Sequence, residues 1–224
     1  MKALEVVAKI EDLVKITFEL EKLIADALES VHHHPQHDLN LGYRQAIWAA
    51  LEPDNDNLGH QRRAFLANLT VRRVLPIWYQ TFPHDDTPQH ILAEAEQVIA
   101  GTINKEVAQK DSERFWQEMQ QLGYKDSSMA FTVGCAAAQA LNTAIEDEIF
   151  DPDDIDYNLT DNQDTEGNDA SFFAACAYAN GPVWQIKSGK SDSTKRQEFW
   201  EWWLTQAVPA AWEAVREQKE FVNL

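Results

Sequence analysis

Basic residues are scarce in this chain. Lysine and arginine number 19 against 37 aspartates and glutamates, a formal net charge of −18 at pH 7. A phosphate-binding protein needs the opposite footprint, so nucleic acid is excluded as a partner. Anionic membrane surfaces are disfavoured for the same reason. Long apolar runs are missing as well. The opening MKALEVVAKIEDLVK breaks its apolar positions with Glu5, Glu11 and Asp12. A signal peptide needs an uninterrupted apolar stretch and a membrane span about twenty such residues, and neither occurs. The expectation is a soluble, cytoplasmic protein. Cysteine is limited to Cys135 and Cys176, each set among alanines (GCAAAQA and FAACAYA). That setting reads as reduced thiols buried in close-packed helices, and two cysteines are too few for a secreted framework. At 224 residues the chain can bury a substantial core without disulfides or a structural metal.

Catalytic signatures are also lacking. There is no Gly-x-Ser-x-Gly elbow, no phosphate-cradling glycine loop and no His-Glu-x-x-His pair. An apolar helical setting raises a thiol's pKa and makes it inert, so neither cysteine is marked as a nucleophile. Metal readings fail on their second halves. Asn162, Asp164 and Glu166 followed by Gly167 imitate the start of an EF-hand loop, but Phe173 occupies the position of its bidentate glutamate. His32, His33, His34 and His37 with Asp38 are metal-binding residue types, and Glu29 with His32 makes one Glu-x-x-His spacing. A di-iron bundle needs a second such motif and two further inward glutamates. The chain is therefore expected to be no enzyme and to carry no metal or cofactor.

What the sequence has in abundance is helical periodicity. Val6, Ile10, Leu13, Thr17, Leu20, Ile24, Ala27 and Val31 alternate steps of four and three, a seam suited to self-association as a homodimer. This helix is expected to stop before His32, because the residue before Pro35 is pushed out of helical geometry. Further helices are predicted over 42–51, 58–81, from Thr87-Pro88 to Gly101, 104–122 with Gly123 as a C-cap, and 127–149. Phe65, Leu66, Leu69, Val74, Leu75 and Trp78 would form the apolar face of the third. A short helix capped by Asp169 or Ser171 should end at Asn180-Gly181-Pro182. A last helix should run from a Thr194/Gln197 capping box to about Glu220. Residues 181–192 read as loop with one extended stretch. No segment alternates as a strand and no repeat has a fixed period. The fold class is all-α, about eight helices in one domain over 1–224, sub-divisible into a core (1–149) and a C-terminal helical pair (169–224).

A long acidic loop near 150–168 separates those parts. Glu146 to Asp169 holds eleven acidic residues and no lysine or arginine. It is either a solvated loop or a binding surface, and a field of that sign would speed encounter with a basic partner. Asp151, Asp153, Asp154, Asp156, Asp161, Asp164 and Glu166 are its candidate partner-binding residues. Arg62, Arg63, Arg72 and Arg73 form two pairs on the third helix, with Arg62 and Arg73 on one face. In so acidic a chain they are expected to pair with internal carboxylates. On the last helix Phe199, Trp200, Trp203, Leu204, Ala207, Ala211 and Val215 define a buried face. Trp202 falls outside it near Glu198 and Glu213, as an interface anchor or as packing against a neighbouring loop. Pro209 should kink this helix.

The stretch Leu69 to Ile103, LTVRRVLPIWYQTFPHDDTPQHILAEAEQVIAGTI, resembles the all-helical immunity proteins of bacterial polymorphic toxin systems. The features that carry it are Leu75-Pro76, the Pro83–Asp86 turn, Pro88 and Gly101. The alanine-rich helix around Cys135 fits the same pattern, extending the match to about Ile149. The resemblance implies a non-enzymatic protein that neutralises a toxin by binding it, with a basic toxin domain the natural partner for this charge. Two other readings stand beside it: a helical scaffold or adaptor, and a metal-dependent enzyme built on the histidine run or the acidic loop.

Overall fold

The computed structural model describes residues 2–52, 58–125, 129–165 and 167–214, with backbone alone for 2–17, 124–125 and 186–188. Among these residues it holds eight α-helices and no strand: α1 (Lys2–His33), α2 (Leu41–Ala50), α3 (Gly59–Thr81), α4 (Thr87–Ile99), α5 (Lys105–Lys125), α6 (Met129–Ile145), α7 (Ala170–Tyr178) and α8 (Ser193–Trp202). The all-α expectation holds.

Helix α6 sits at the centre, against α3, α4, α5 and α7. Its sequence explains the position. Val133, Ala136, Ala137, Ala138, Ala140 and Leu141 are all fully buried, and a helix apolar on every side must lie inside. Small side chains let neighbours approach closely. A Cβ at Gly134 would stand 2.0 Å from the Met119 sulfur of α5, so a larger residue there would have to push that side chain aside. Cys135 and Cys176 are buried and free, and burial pushes both thiols up to about 12. One hydrophobic cluster runs from Leu20 of α1 to Trp212 and draws on every α-helix except α2's outer face and α5's charged side.

Several helix ends differ from the sequence reading. Helix α1 includes His32 and His33 before the turn at His34. Helix α5 runs through Gly123 to Lys125. Asp192, rather than Thr194, caps α8 by accepting from the Thr194 and Lys195 amides. Asp169 caps α7 as expected. Residues Val183–Ser188 form a 3₁₀ turn, not an extended stretch. Phe65 is 39% exposed and lies outside the α3 core face.

The tryptophan-rich end follows its expected face: Phe199, Trp200, Trp203, Leu204, Ala207 and Ala211 are all buried. Val215 lies outside the described residues, as does the helix end near Glu220. The irregularity expected at Pro209 is taken up one turn earlier by a π turn over Trp203–Ala207, where Val208 N–H donates to the Trp203 carbonyl. The Thr205 hydroxyl donates to the Glu201 carbonyl at 2.6 Å. The extra residue rotates the next turns of the helix, so Val208 and Trp212 also face inward. Of the α1 seam, Leu20, Ala27 and Val31 are buried. The side chains of Val6, Ile10, Leu13 and Thr17 lie outside the described residues.

Candidate partner-binding surface

The acidic segment leaves α6 at Ile145 and rejoins the helices at Asp169. Most of its described carboxylates fall into two sets. The inner set is tied to arginines. Asp147 pairs with Arg63 of α3 at 2.6 Å, and Arg63 also reaches Glu52 at 2.7 Å. Asp161 is buried and accepts from both terminal nitrogens of the fully buried Arg44 at 3.0 and 2.5 Å. Asp169 accepts from the same arginine at 2.9 Å while capping α7. Burial works against the Arg44 charge, but Asp161 and Asp169 overcompensate and hold its pKa above the ordinary guanidinium value.

A close approach of backbones completes the anchor. Gly42 at the start of α2 donates its N–H to the Leu159 carbonyl at 3.2 Å. A Cβ there would sit 1.9 Å from the Asp156 carbonyl oxygen, so only glycine lets the segment lie against α2. The described residues of the segment are therefore a structured part of the fold.

The outer set comprises Asp151, Asp153, Asp154 and Asp156, all exposed. Asp151 accepts from the Asp153 amide at 3.0 Å and Asp156 from the Asn158 amide at 2.9 Å. These bonds fix the turns and leave the charges without a cation among the described residues. Asp164 is half-buried and accepts from the Gly167 amide at 3.1 Å. Glu166 lies outside the described residues. Asp161 departs from the sequence expectation of a partner-facing group, because it points inward to Arg44. Two apolar residues accompany the outer carboxylates: Ile149 is 76% exposed, and Tyr157 is 44% exposed with its ring 5.0 Å from Tyr43.

Trp202 is half-buried, its ring 5.1 Å from the Arg73 guanidinium and 5.8 Å from Phe199. Arg62 stacks in the same way on Trp212 at 4.1 Å. The shared face of Arg62 and Arg73 thus meets tryptophans of the last helix. Arg63 and Arg72 meet carboxylates as expected, the latter pairing with Glu96 at 2.7 Å.

The histidine run is built into a turn. His34 Nδ1 accepts from the Gln36 and Asp38 amides at 3.3 and 3.1 Å. His32 meets Glu201 of α8 at 2.8 Å. The turn aims Asp38 inward, where Arg196 donates to it at 3.2 Å and the Trp200 indole at 2.9 Å. Among the described residues no three His, Cys, Asp or Glu side chains are gathered as a metal would require.

Sequence reasoning missed Arg44 and Arg196. A signal for Arg44 exists: it stands three residues from both Leu41 and Ile47, on the buried face of α2. A charge there needs a carboxylate from elsewhere in the chain, and the acidic segment supplies it.

The described residues form an all-helical fold with no helix long and apolar enough to cross a membrane, and one face carries an arginine-anchored acidic segment. Its family is more particular. Residues 24–210 match the family described as Immunity protein Imm5, and the chain belongs to that family. Comparison with curated proteins gave no match. Membership brings an immunity-type function and, in general terms, a protein partner. The match extends well beyond the 69–149 stretch that carries the resemblance, and it takes in the acidic segment and α8.

Proposed function

We propose that this protein neutralises a bacterial toxin of a polymorphic toxin system by binding it in the cytoplasm, without catalysis, and that the toxin domain is basic. The observation that carries this reading is the outer carboxylate set held on a backbone that Arg44, Arg63 and Gly42 pin to the helices. An acidic surface of fixed shape accelerates encounter with a basic domain and can cover its active site. Ile149 and Tyr157 add exposed apolar area among the charges, the composition of an anchor inside a polar rim.

The test is co-expression with the effector encoded beside its gene. Growth should be restored by this chain and association should slow as salt rises. Replacing Asp151, Asp153, Asp154 and Asp156 with asparagine should lower the association rate at low salt. Trp202→Ala should raise the dissociation rate if Trp202 lies under the partner. Unrestored growth, or association indifferent to salt, would sink the reading.

A further inference from the structure

A cleft of about 530 Å³ opens between the start of the acidic segment, α3, α6 and α7. Its floor is buried and mostly apolar: Leu66 and Thr70 of α3, with Trp203 donating its indole N–H to the Thr70 hydroxyl at 3.0 Å. One wall is aromatic, formed by Trp48 and Phe150 with ring centroids 5.5 Å apart. The remaining lining is rich in acceptors. Glu146 and Glu148 stand at the mouth, exposed and without an ion-pair partner among the described residues. One cation, Arg63, is part of the lining and is already paired there with Asp147, and with Glu52, while the Lys105 ammonium donates to the Ile145 carbonyl at 2.9 Å.

A second observation points to a ligand. Asn168 lines this cleft, and its side-chain oxygen, closed to solvent in this conformation, has no hydrogen-bond donor. A buried acceptor left unmade costs free energy that an N–H reaching it after a rotation of the side chain would recover. Desolvation first, then repulsion from Asp169 and Asp164, raises the Glu148 pKa above the usual glutamate value.

We propose that this cleft is a receptor for one arginine side chain of the protein partner, the guanidinium lying among Glu146, Glu148 and Asn168 beside the Trp48 and Phe150 rings. Arginine fits the lining better than lysine. Its planar head offers five donors to several acceptors and stacks on aromatic faces, and its stem covers apolar surface. The proposal rests on the toxin-binding reading, because it names what the partner inserts.

The test has two arms. In the first, the full chain is titrated with N-acetyl-argininamide and followed by amide and indole NMR signals. Saturable shifts confined to the cleft are expected, including the Trp48 indole and the Asn168 amide. They should be at least several-fold weaker with N-acetyl-lysinamide and absent with the neutral norleucine analogue. The paired variant Glu146→Gln, Glu148→Gln should abolish them, while Asp153→Asn with Asp154→Asn should leave them unchanged. Shifts that do not saturate, that spread over the acidic surface, or that the norleucine analogue reproduces would overturn the proposal. The second arm measures toxin affinity. The paired glutamine variant should bind about tenfold or more weakly, the scale of stripping one side of a buried charge pair. If the wild-type chain neutralises the toxin and the variant does so with equal affinity, the cleft proposal fails and the immunity reading stands. If the wild-type chain does not bind the toxin, the immunity reading fails, and the first arm alone decides whether the cleft takes a guanidinium.

Discussion

Asp161 and Asp154 lie seven residues apart in one acidic segment, yet they do opposite things. Asp161 is buried against Arg44 and ties the segment to α2, whereas Asp154 is exposed and meets no cation among the described residues. Residue type is therefore a poor guide to role in a run of like charges. The partner decides: a carboxylate facing an arginine on a buried helix face becomes structure, and one facing solvent contributes only to the field. The two sets also depend on each other. The outer charges can present a fixed pattern only because the inner ones hold the backbone, and the inner pairs cost desolvation that the fold must offset.

The sharpest way to break this contrast is Arg44→Ala. It leaves Asp161 buried without its cation and strips Asp169 of one of its donors. Removing one side of a buried pair costs about 3–5 kcal/mol, so the urea midpoint should fall by that equivalent. A loss under about 1 kcal/mol would mean that the inner set is no anchor. Gly42→Ala attacks the same junction without touching charge. Its Cβ would overlap the Asp156 carbonyl, backbone against backbone, so the segment has to move away. Overpacking of this kind costs about 1–3 kcal/mol. Limited proteolysis should then cut within 151–158 faster than in the wild type, and an unchanged cleavage rate would contradict the docking role of Gly42.

The difference between the two sets also marks where the sequence was readable. Helix number and order follow from apolar spacing, as in α4, where Ile91, Leu92, Ala95 and Val98 are all buried as the pattern requires. The buried face of the last helix was legible for the same reason, up to the π turn. Periodicity assumes a uniform 3.6 residues per turn, so it could not foresee Val208 and Trp212 turning inward after an inserted residue. Contacts between distant segments were not legible at all. Arg44 and Asp161 are 117 positions apart, and no local pattern pairs them. Only the sign of the answer was available, an arginine on an apolar helix face needing an acid from somewhere. The cleft at Glu146 and Glu148 likewise gathers distant segments, Trp48 of α2, Thr70 of α3 and Asn168 of the acidic segment among them.

A smaller effect is expected at the histidine turn. His34 accepts two amide bonds through Nδ1, which a proton on that atom would abolish. Desolvation lowers its pKa below 6.5, with the Asp38 charge opposing. The folded protein therefore resists protonation that the unfolded chain accepts first. Stability from this group is fully present above about pH 6.5 and is lost as pH falls from there toward the folded value. His34→Asn keeps an acceptor and removes the proton. Unfolding free energies measured across this range should show a shallower acid-side decline in the variant, and an identical slope would place the titration elsewhere.

The smallest effect on stability should come from the outer set, and it is the most direct test of the division. Asp151, Asp153, Asp154 and Asp156 replaced together by asparagine lose four charges but keep the side-chain oxygens. The bonds from Asp151 to the Asp153 amide and from Asp156 to the Asn158 amide can therefore persist. The substitutions also relieve repulsion in a chain of net charge −18. Surface changes away from buried features shift stability by about 0.5 kcal/mol or less, so the melting temperature should stay put or rise slightly. The contrast is with Arg44→Ala, where one lost charge unsettles the same segment by several times as much. If the quadruple variant loses as much stability as Arg44→Ala, the outer carboxylates are structural and the distinction between the two sets collapses. If it keeps its stability and its association with a basic partner becomes slower and less salt-dependent, the two sets are separable: one holds the surface and the other uses it.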